Sequence, residues 1–163
     1  MELDYSGLLA MGEAGDDTLD ETQYLTFRLD NQEYGIPIIE VQEIKGWTRT
    51  TPVPNAPAHM LGVLNLRGTI IPVIDLRTRF GLPRKSHDEF TVIMVVSMGD
   101  RLAGLVVDSV SDVVNAPDDA VRENPEANSN IDQRFFRGLI EAKGKLVILL
   151  DVMQISDDIQ QGP

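Results

Sequence analysis

Few side chains in this chain are equipped for covalent chemistry, and their spacing limits how far that chemistry reaches. The two histidines, His59 and His87, lie in loop-like stretches without the short spacing of a metal site. Both read as solvated. No serine sits in a Gly-x-Ser-x-Gly elbow, and no glycine-rich run resembles a phosphate loop. Cysteine is absent, which removes thiolate ligands, thiol nucleophiles and disulfides together. The adjoining acids Asp88-Glu89, Asp118-Asp119 and Asp157-Asp158 stand in polar surroundings. A general acid–base dyad needs a shared concave site, so these acids read as solvated faces or caps. The expectation is a protein without catalytic activity or a metal site.

What remains is the chemistry of recognition. Asn65-Leu66-Arg67-Gly68 has the composition of a tight hairpin turn, with the glycine supplying positive φ. A guanidinium at such a tip is placed for bidentate contact with a partner carboxylate. From Arg67 to Lys85 five basic residues meet one acid, Asp75. That stretch reads either as an ordinary solvated surface or as a basic edge for an acidic partner.

The elements that must position these residues are short strands. Leu25, Phe27 and Leu29 alternate with Thr26 and Arg28; Asp30-Asn31 is a turn, and Glu33 to Pro37 returns. Ile38, Val41 and Gln42 suggest a short helix or bent strand over residues 38–44, and the proline-rich 51–57 is an irregular connection. Strands follow near Gly62 to Asn65 and over Thr69 to Asp75, then one helical turn from Leu76 to Phe80, stopped by Gly81. The second half places strands at Thr91 to Met98 and Arg101 to Val107, and a polar loop from Pro117 to Asn130. Phe135 to Glu141, Leu146 to Asp151 and a terminal helix over residues 152–159 complete it. Turn signals every 8 to 12 residues indicate an all-β barrel or sandwich.

The second half repeats the first. Leu29 to Ile36 falls on Met98 to Leu105, and Val41 to Ile44 on Val110 to Val113, at an offset of 69. Gly62, Gly68, Asp75 and Leu76 fall on Gly138, Gly144, Asp151 and Val152 at an offset of 76. The repeated residues read as structural. Gly68 and Gly144 turn hairpins, Gly35 and Gly104 admit close backbone approach, and Asp75 and Asp151 cap helical turns. Asn65 and Arg67 fall on Glu141 and Lys143, so the fold does not dictate asparagine and arginine there. The expected fold is all-β with a few short helices: two small five-stranded SH3/OB-like β-barrels, related by duplication and packed on a shared apolar core.

Charge bounds the partners. The net charge is −12, and residues 1–21 carry seven acids and no base. Such a chain repels phosphate backbones, so no nucleic-acid partner is expected. The longest apolar runs, Val92 to Met98 and Leu146 to Leu150, fall far short of the roughly 20 residues that span a bilayer. No direct membrane insertion is expected. Met1-Glu2-Leu3-Asp4 is acidic where a secretory signal carries positive charge, which suits a cytoplasmic protein. The expected boundaries are an acidic disordered tail at 1–21, a duplicated domain at 22–159, and a short tail at 160–163. The repeats run roughly over 22–86 and 87–159, with segments open to exchange between barrels.

In order and spacing several motifs resemble the CheW family of chemotaxis coupling proteins. They are Glu33-Tyr34-Gly35-Ile36, Val41-Gln42-Glu43-Ile44, Pro54-Asn55-Ala56-Pro57, residues 62–68 and Ile71-Pro72-Val73-Ile74-Asp75-Leu76. Gly104 to Asp108, Val110 to Val113, and Gly138 with the apolar run to Asp151 continue it. The resemblance covers about Glu21 to Ile159. It implies a non-catalytic scaffold, without cofactor, joining chemoreceptor cytoplasmic tips to the regulatory domain of the histidine kinase CheA. The implied location is cytoplasmic, at receptor arrays on the inner face of the membrane. Carried over by position, Glu43, Asn65 and Arg67 face the kinase, and Val41, Val110 and Val113 line a receptor groove between the barrels. Read without the resemblance, the three valines are plain core. The rival readings are a coupling protein of a pilus or other chemosensory-like pathway, or a small barrel that binds a ligand or oligonucleotide. The acidic tail matches nothing in the family motifs. Because it lies outside both repeats, deleting residues 1–21 is expected to leave the melting temperature within a few degrees of the full chain. Thermal unfolding followed by circular dichroism checks this, and a larger fall places the domain boundary further upstream.

Overall fold

A computed structural model describes residues 20–123 and 133–156. The first half contributes β1 (Glu21–Leu29), β2 (Gln32–Pro37), β3 (Val41–Gly46), β4 (Met60–Leu66), β5 (Thr69–Asp75) and the single helical turn α1 (Leu76–Arg79). The second contributes β6 (Val92–Met98), β7 (Arg101–Val107), β8 (Ser109–Pro117), β9 (Phe136–Ala142), β10 (Lys145–Leu150) and α2 (Val152–Ile155).

These strands form two five-stranded sheets, ordered β8-β1-β2-β10-β9 and β3-β6-β7-β5-β4. Each sheet takes a hairpin from one half and three strands from the other. The orders interchange when the halves are interchanged, which is the topology of a pseudo-two-fold. Register agrees: Leu25 faces Ile36 in one sheet, and Met94 faces Leu105, their repeat equivalents, in the other. The β3·β6 and β1·β8 ladders are bulged at the equivalent residues Gln42 and Ser111. Each sheet also contains one parallel pair, β2·β10 and β5·β7, at the junction between halves. Isolated bridges Thr51–Val63 and Arg122–Leu139 tie the chain beyond β3 and β8 to β4 and β9. They draw the outer strands of each sheet together toward a barrel.

One apolar cluster runs through both sheets. It joins Leu25, Phe27, Tyr34 and Ile36 to Met94, Val96 and Leu105, and extends to Leu150 and Val152. Smaller clusters fill each sheet's own concave side, such as Tyr24, Val114, Ile140 and Leu149 in one and Val73, Ile93 and Val106 in the other. A central strand such as β1 is therefore buried on both faces, and Thr26 is buried along with Leu25 and Phe27. Simple alternation conceals this.

Several local expectations change. Residues 38–44 are a 3-10 turn at Ile38–Glu40 followed by strand β3, because β-branched Val41 and Ile44 pair with β6. β8 is absent from the expected strands, since its serine, aspartate and asparagine weaken the apolar pattern. Pairing with β1 over its whole length makes it a strand. The room at Gly35 and Gly104 is taken by side chains rather than backbone: a Cβ would lie 3.1 Å from Val147 Cγ1 and 2.8 Å from Ile93 Cγ2. His59 is half-buried, and His87, though exposed, stacks on Trp47 with ring centroids 3.7 Å apart. The caps hold: Asp75 Oδ1 accepts from Arg77 N at 3.1 Å, and Asp151 Oδ1 from Met153 N at 3.0 Å. Of the tail expected over 1–21, residues 1–19 lie outside the described residues, as do 124–132 and 157–163. Asp20 and Glu21 instead join the fold, Glu21 opening β1 opposite Pro117 and the Asp20 carbonyl accepting from Asp118 N at 2.6 Å.

The basic stretch is the largest departure from a surface reading. Arg77 turns inward, with its side chain only 9% exposed. Its Nε and Nη2 donate to the two oxygens of Asp108, each at 2.8 Å, and Nη2 also donates to Asp30 Oδ1. Nη1 donates to the Pro83 carbonyl at 2.6 Å, so the guanidinium is almost saturated. Arg79 also bonds inward, to the Ile155 carbonyl at 2.9 Å. Burial pushes the Asp108 carboxyl up, but the Arg77 guanidinium and the Asp30 N–H outweigh it and hold it below its ordinary value. A carboxylate so lowered adds stability above its unfolded value, about 3.9 for Asp, and loses it as pH falls through the folded value. Wild-type melting temperature should therefore fall more steeply below about pH 4 than that of Asp108→Asn, which starts lower at neutral pH. Thermal unfolding of both proteins from neutral to acidic pH measures this. Parallel slopes remove Asp108 as a source of acid sensitivity.

Candidate protein-binding site

The hairpin between β4 and β5 turns on two residues at positive φ, Arg67 at 50° and Gly68 at 90°. This is the primed geometry that matches strand twist. Asn65 Oδ1 accepts from Gly68 N at 2.8 Å and locks the turn. Arg67 Nη2 donates to Glu43 Oε1 at 2.8 Å, and its side chain is 74% exposed against 27% for Glu43. The three residues assigned to the kinase thus converge on one surface. β3 and β4 are the outer strands of their sheet, so the Glu43–Arg67 pair also spans its two edges.

The other half repeats the arrangement. Lys143, at φ 53°, forms an ion pair with Asp112 across the outer strands β8 and β9. Its ammonium, opposed by some burial and helped by the Val113 N–H, holds the Asp112 carboxyl below its ordinary value. The fold does not dictate arginine at position 67, yet the residue type is not free. A cation is retained opposite an acid in both halves; what differs is guanidinium against ammonium, and Asn65 against Glu141. That duplicated pair was legible in the offsets, since Glu43 falls on Asp112 and Arg67 on Lys143.

The valines occupy the opposite kind of environment. Val41 opens β3 and is buried within the common core, whereas Val110 and Val113 on β8 are half-buried against the same cluster. All three therefore flank one apolar mass, at the two places where the chain crosses between sheets. Just ahead of Val41, Ile39 is 85% exposed. Its repeat equivalent is Asp108, so the two crossovers differ in kind, one bare and apolar and one held by Arg77. Ile39 carries no sequence signal of its own, because an isoleucine beside Ile38 reads as core.

The signature of the CheW-like domain matches residues 23–160. The chain belongs to the CheW family. It is 38% identical over 150 residues to the chemotaxis protein CheW of Klebsiella aerogenes, covering 92% of this chain and 90% of that protein. It is 36% identical over 132 residues to the probable chemotaxis protein CheW of Rhizobium etli, covering 81% and 85%. Among solved structures, the scaffolding protein TtCheW from Thermoanaerobacter tengcongensis matches with a TM-score of 0.77 at 30% identity, over 82% of this chain and 91% of that one. This CheW-family chain is therefore a non-catalytic scaffold of chemotaxis signal transduction, which displaces the small-barrel ligand- or oligonucleotide-binding reading.

Burial now separates the valines experimentally. At Val41 a lysine is trapped in the core without a partner, costing several kcal/mol. At half-buried Val110 a lysine stem can lie along the surface with its ammonium in water. Val41→Lys is expected to lower the melting temperature sharply and Val110→Lys only slightly, as read by differential scanning calorimetry. Equal, large losses make Val110 plain core.

Proposed function

We propose that this CheW-family scaffold couples the cytoplasmic hairpin tip of chemoreceptors to the regulatory domain of the histidine kinase CheA, in the cytoplasm at receptor arrays. The observation that carries this reading is the separation of two chemically different surfaces on one duplicated frame. One is the exposed Glu43–Arg67 pair beside the Asn65-locked turn; the other is the apolar crossover region where half-buried Val110 and Val113 pack against the core that contains Val41. No helix among the described residues is long and apolar enough to cross a membrane.

The division of labour follows from the two chemistries. A receptor hairpin laid over Val110 and Val113 gains roughly 25 cal/mol per Å² of buried apolar surface, before ordering costs. Its register is read as apolar anchors on a helix face. At the kinase face the gain comes from charge and geometry. Arg67 gives Glu43 one donor and keeps the rest of its fork for a partner carboxylate or carbonyl. Signalling is then a coupling free energy of about 1–3 kcal/mol between two sites on a rigid connector.

Arg67→Ala removes an exposed ion pair from the free protein, a small perturbation of folding. We expect an almost unchanged melting temperature and a Kd for the kinase regulatory domain raised about thirtyfold or more, as for a desolvated charged contact. Isothermal titration calorimetry with wild type and variant decides it. A folded variant with wild-type affinity takes Arg67 out of the interface.

A further inference from the structure

The two halves of the molecule superpose in topology, register and bulge position, so the places where the symmetry fails are informative. The largest failure is at Arg77. Its repeat equivalent is Met153, and the residues it grips, Asp30 and Asp108, are matched by Gly99 and Ile39. One of the two symmetry-related junctions between the halves therefore holds an ion cluster, with Arg77 and Asp108 buried and Asp30 more exposed, where the other has a glycine and two apolar residues, Ile39 85% and Met153 47% exposed. Burying a guanidinium and a carboxylate is costly, and well-packed apolar residues are often as stable. Folding alone gives no reason to keep the cluster at one junction and not at its equivalent.

Its anchors suggest what it does. Asp108 is the crossover residue between β7 and β8, two positions ahead of Val110. Asp30 lies in the β1–β2 turn and Pro83 in the connection between the repeats. Arg77 itself sits on α1, directly after β5. One side chain thus ties the sheet containing β5 and β7 to the turn and crossover of the other sheet. Asp108 is fixed from a further side, accepting from Asp30 N at 3.0 Å, while its own N donates to the Arg28 carbonyl at 3.1 Å. The equivalent crossover ahead of Val41 is a 3-10 turn with Ile39 bare to solvent.

We propose that Arg77 is a positioning residue for the receptor surface: by clamping Asp108 to Asp30 it sets where β8, and with it Val110 and Val113, stands relative to β3. The proposal rests on the receptor-binding reading above. In this arrangement the β8 side is pre-set and the β3 side, with Ile39, is left to adapt to the incoming hairpin. The kinase surface lies on the β4–β5 hairpin and β3, and the strut does not touch it.

The test transplants the residues found at the equivalent positions. Asp30→Gly, Arg77→Met and Asp108→Ile together remove the ion cluster without leaving a buried charge unpaired. Because the chain contains no cysteine, nitroxide labels can be placed solely at the exposed bulge residues, as Gln42→Cys and Ser111→Cys, to report the β3–β8 distance. In the triple variant the label distance should broaden or shift. Affinity for a receptor hairpin fragment should fall about tenfold or more, with kinase-domain affinity within about twofold of wild type. Arg77→Lys, which keeps the charge but loses the fork, should show the same split to a smaller degree and serves if the triple variant does not fold. An unchanged label distance in a folded variant overturns the strut. A changed distance with undiminished receptor affinity, or equal losses toward both partners, overturns its role in receptor binding. A wild-type chain that takes up no receptor hairpin overturns the function proposed above, and the label distances then judge the strut by themselves.

Discussion

Neither half of this chain can close a sheet with its own strands. β1 and β2 find their outer partners, β8 and β10, in the second half, just as β6 and β7 find β3 and β5 in the first. The exchange forces the central hairpins of both sheets to face one another across a single apolar cluster. Because that cluster contains Leu25, Phe27 and Ile36 from one half and Met94, Val96 and Leu105 from the other, the halves share their hydrophobic stabilisation. Each such fully buried side chain contributes about 1.5–3 kcal/mol relative to exposure. A separated half would expose its share. The crossovers that carry the chain between sheets therefore lie at the symmetry element, and so do the valines at their exits.

A rigid frame suits a molecule whose work is to hold partners in fixed relation. Nothing in the described residues is arranged as a reaction centre; the polar resources are spent on turns, edges and one buried clamp. The edge pairs Glu43–Arg67 and Asp112–Lys143 illustrate how a duplicated structural device diverges into recognition. Both bridge the outer strands of a sheet. Only the first offers a planar fork beside a turn locked by Asn65, and that difference is of the kind which distinguishes one partner from another.

The buried Arg77 cluster is the counterweight to the symmetry. A bidentate Arg–carboxylate contact with 9% and 12% exposed side chains is directional in a way that apolar packing is not. It fixes one crossover in angle as well as position. The opposite crossover relies on a 3-10 turn and on Glu40, whose carboxyl lies 3.5 Å from Arg137 at the surface.

By themselves, residue type and spacing determined the repeat, the turns and the caps. Positive φ at Gly68 and Gly144 and the N-caps at Asp75 and Asp151 depend on residues within a few positions, so they are written locally. The family was likewise legible, because its motifs are these same short segments in order. Strand exchange was open in the sequence but not decided by it, since pairing within a half and pairing between halves need the same residues on each strand. β8 escaped for a related reason: its half-polar pattern becomes a strand only beside β1. Arg77 escaped most completely. In sequence it is one cation among five, and its burial depends on Asp30 and Asp108, 47 and 31 residues away. Only the tertiary structure brings those carboxylates to it, because the energy of a buried charge is decided by partners that no local window contains.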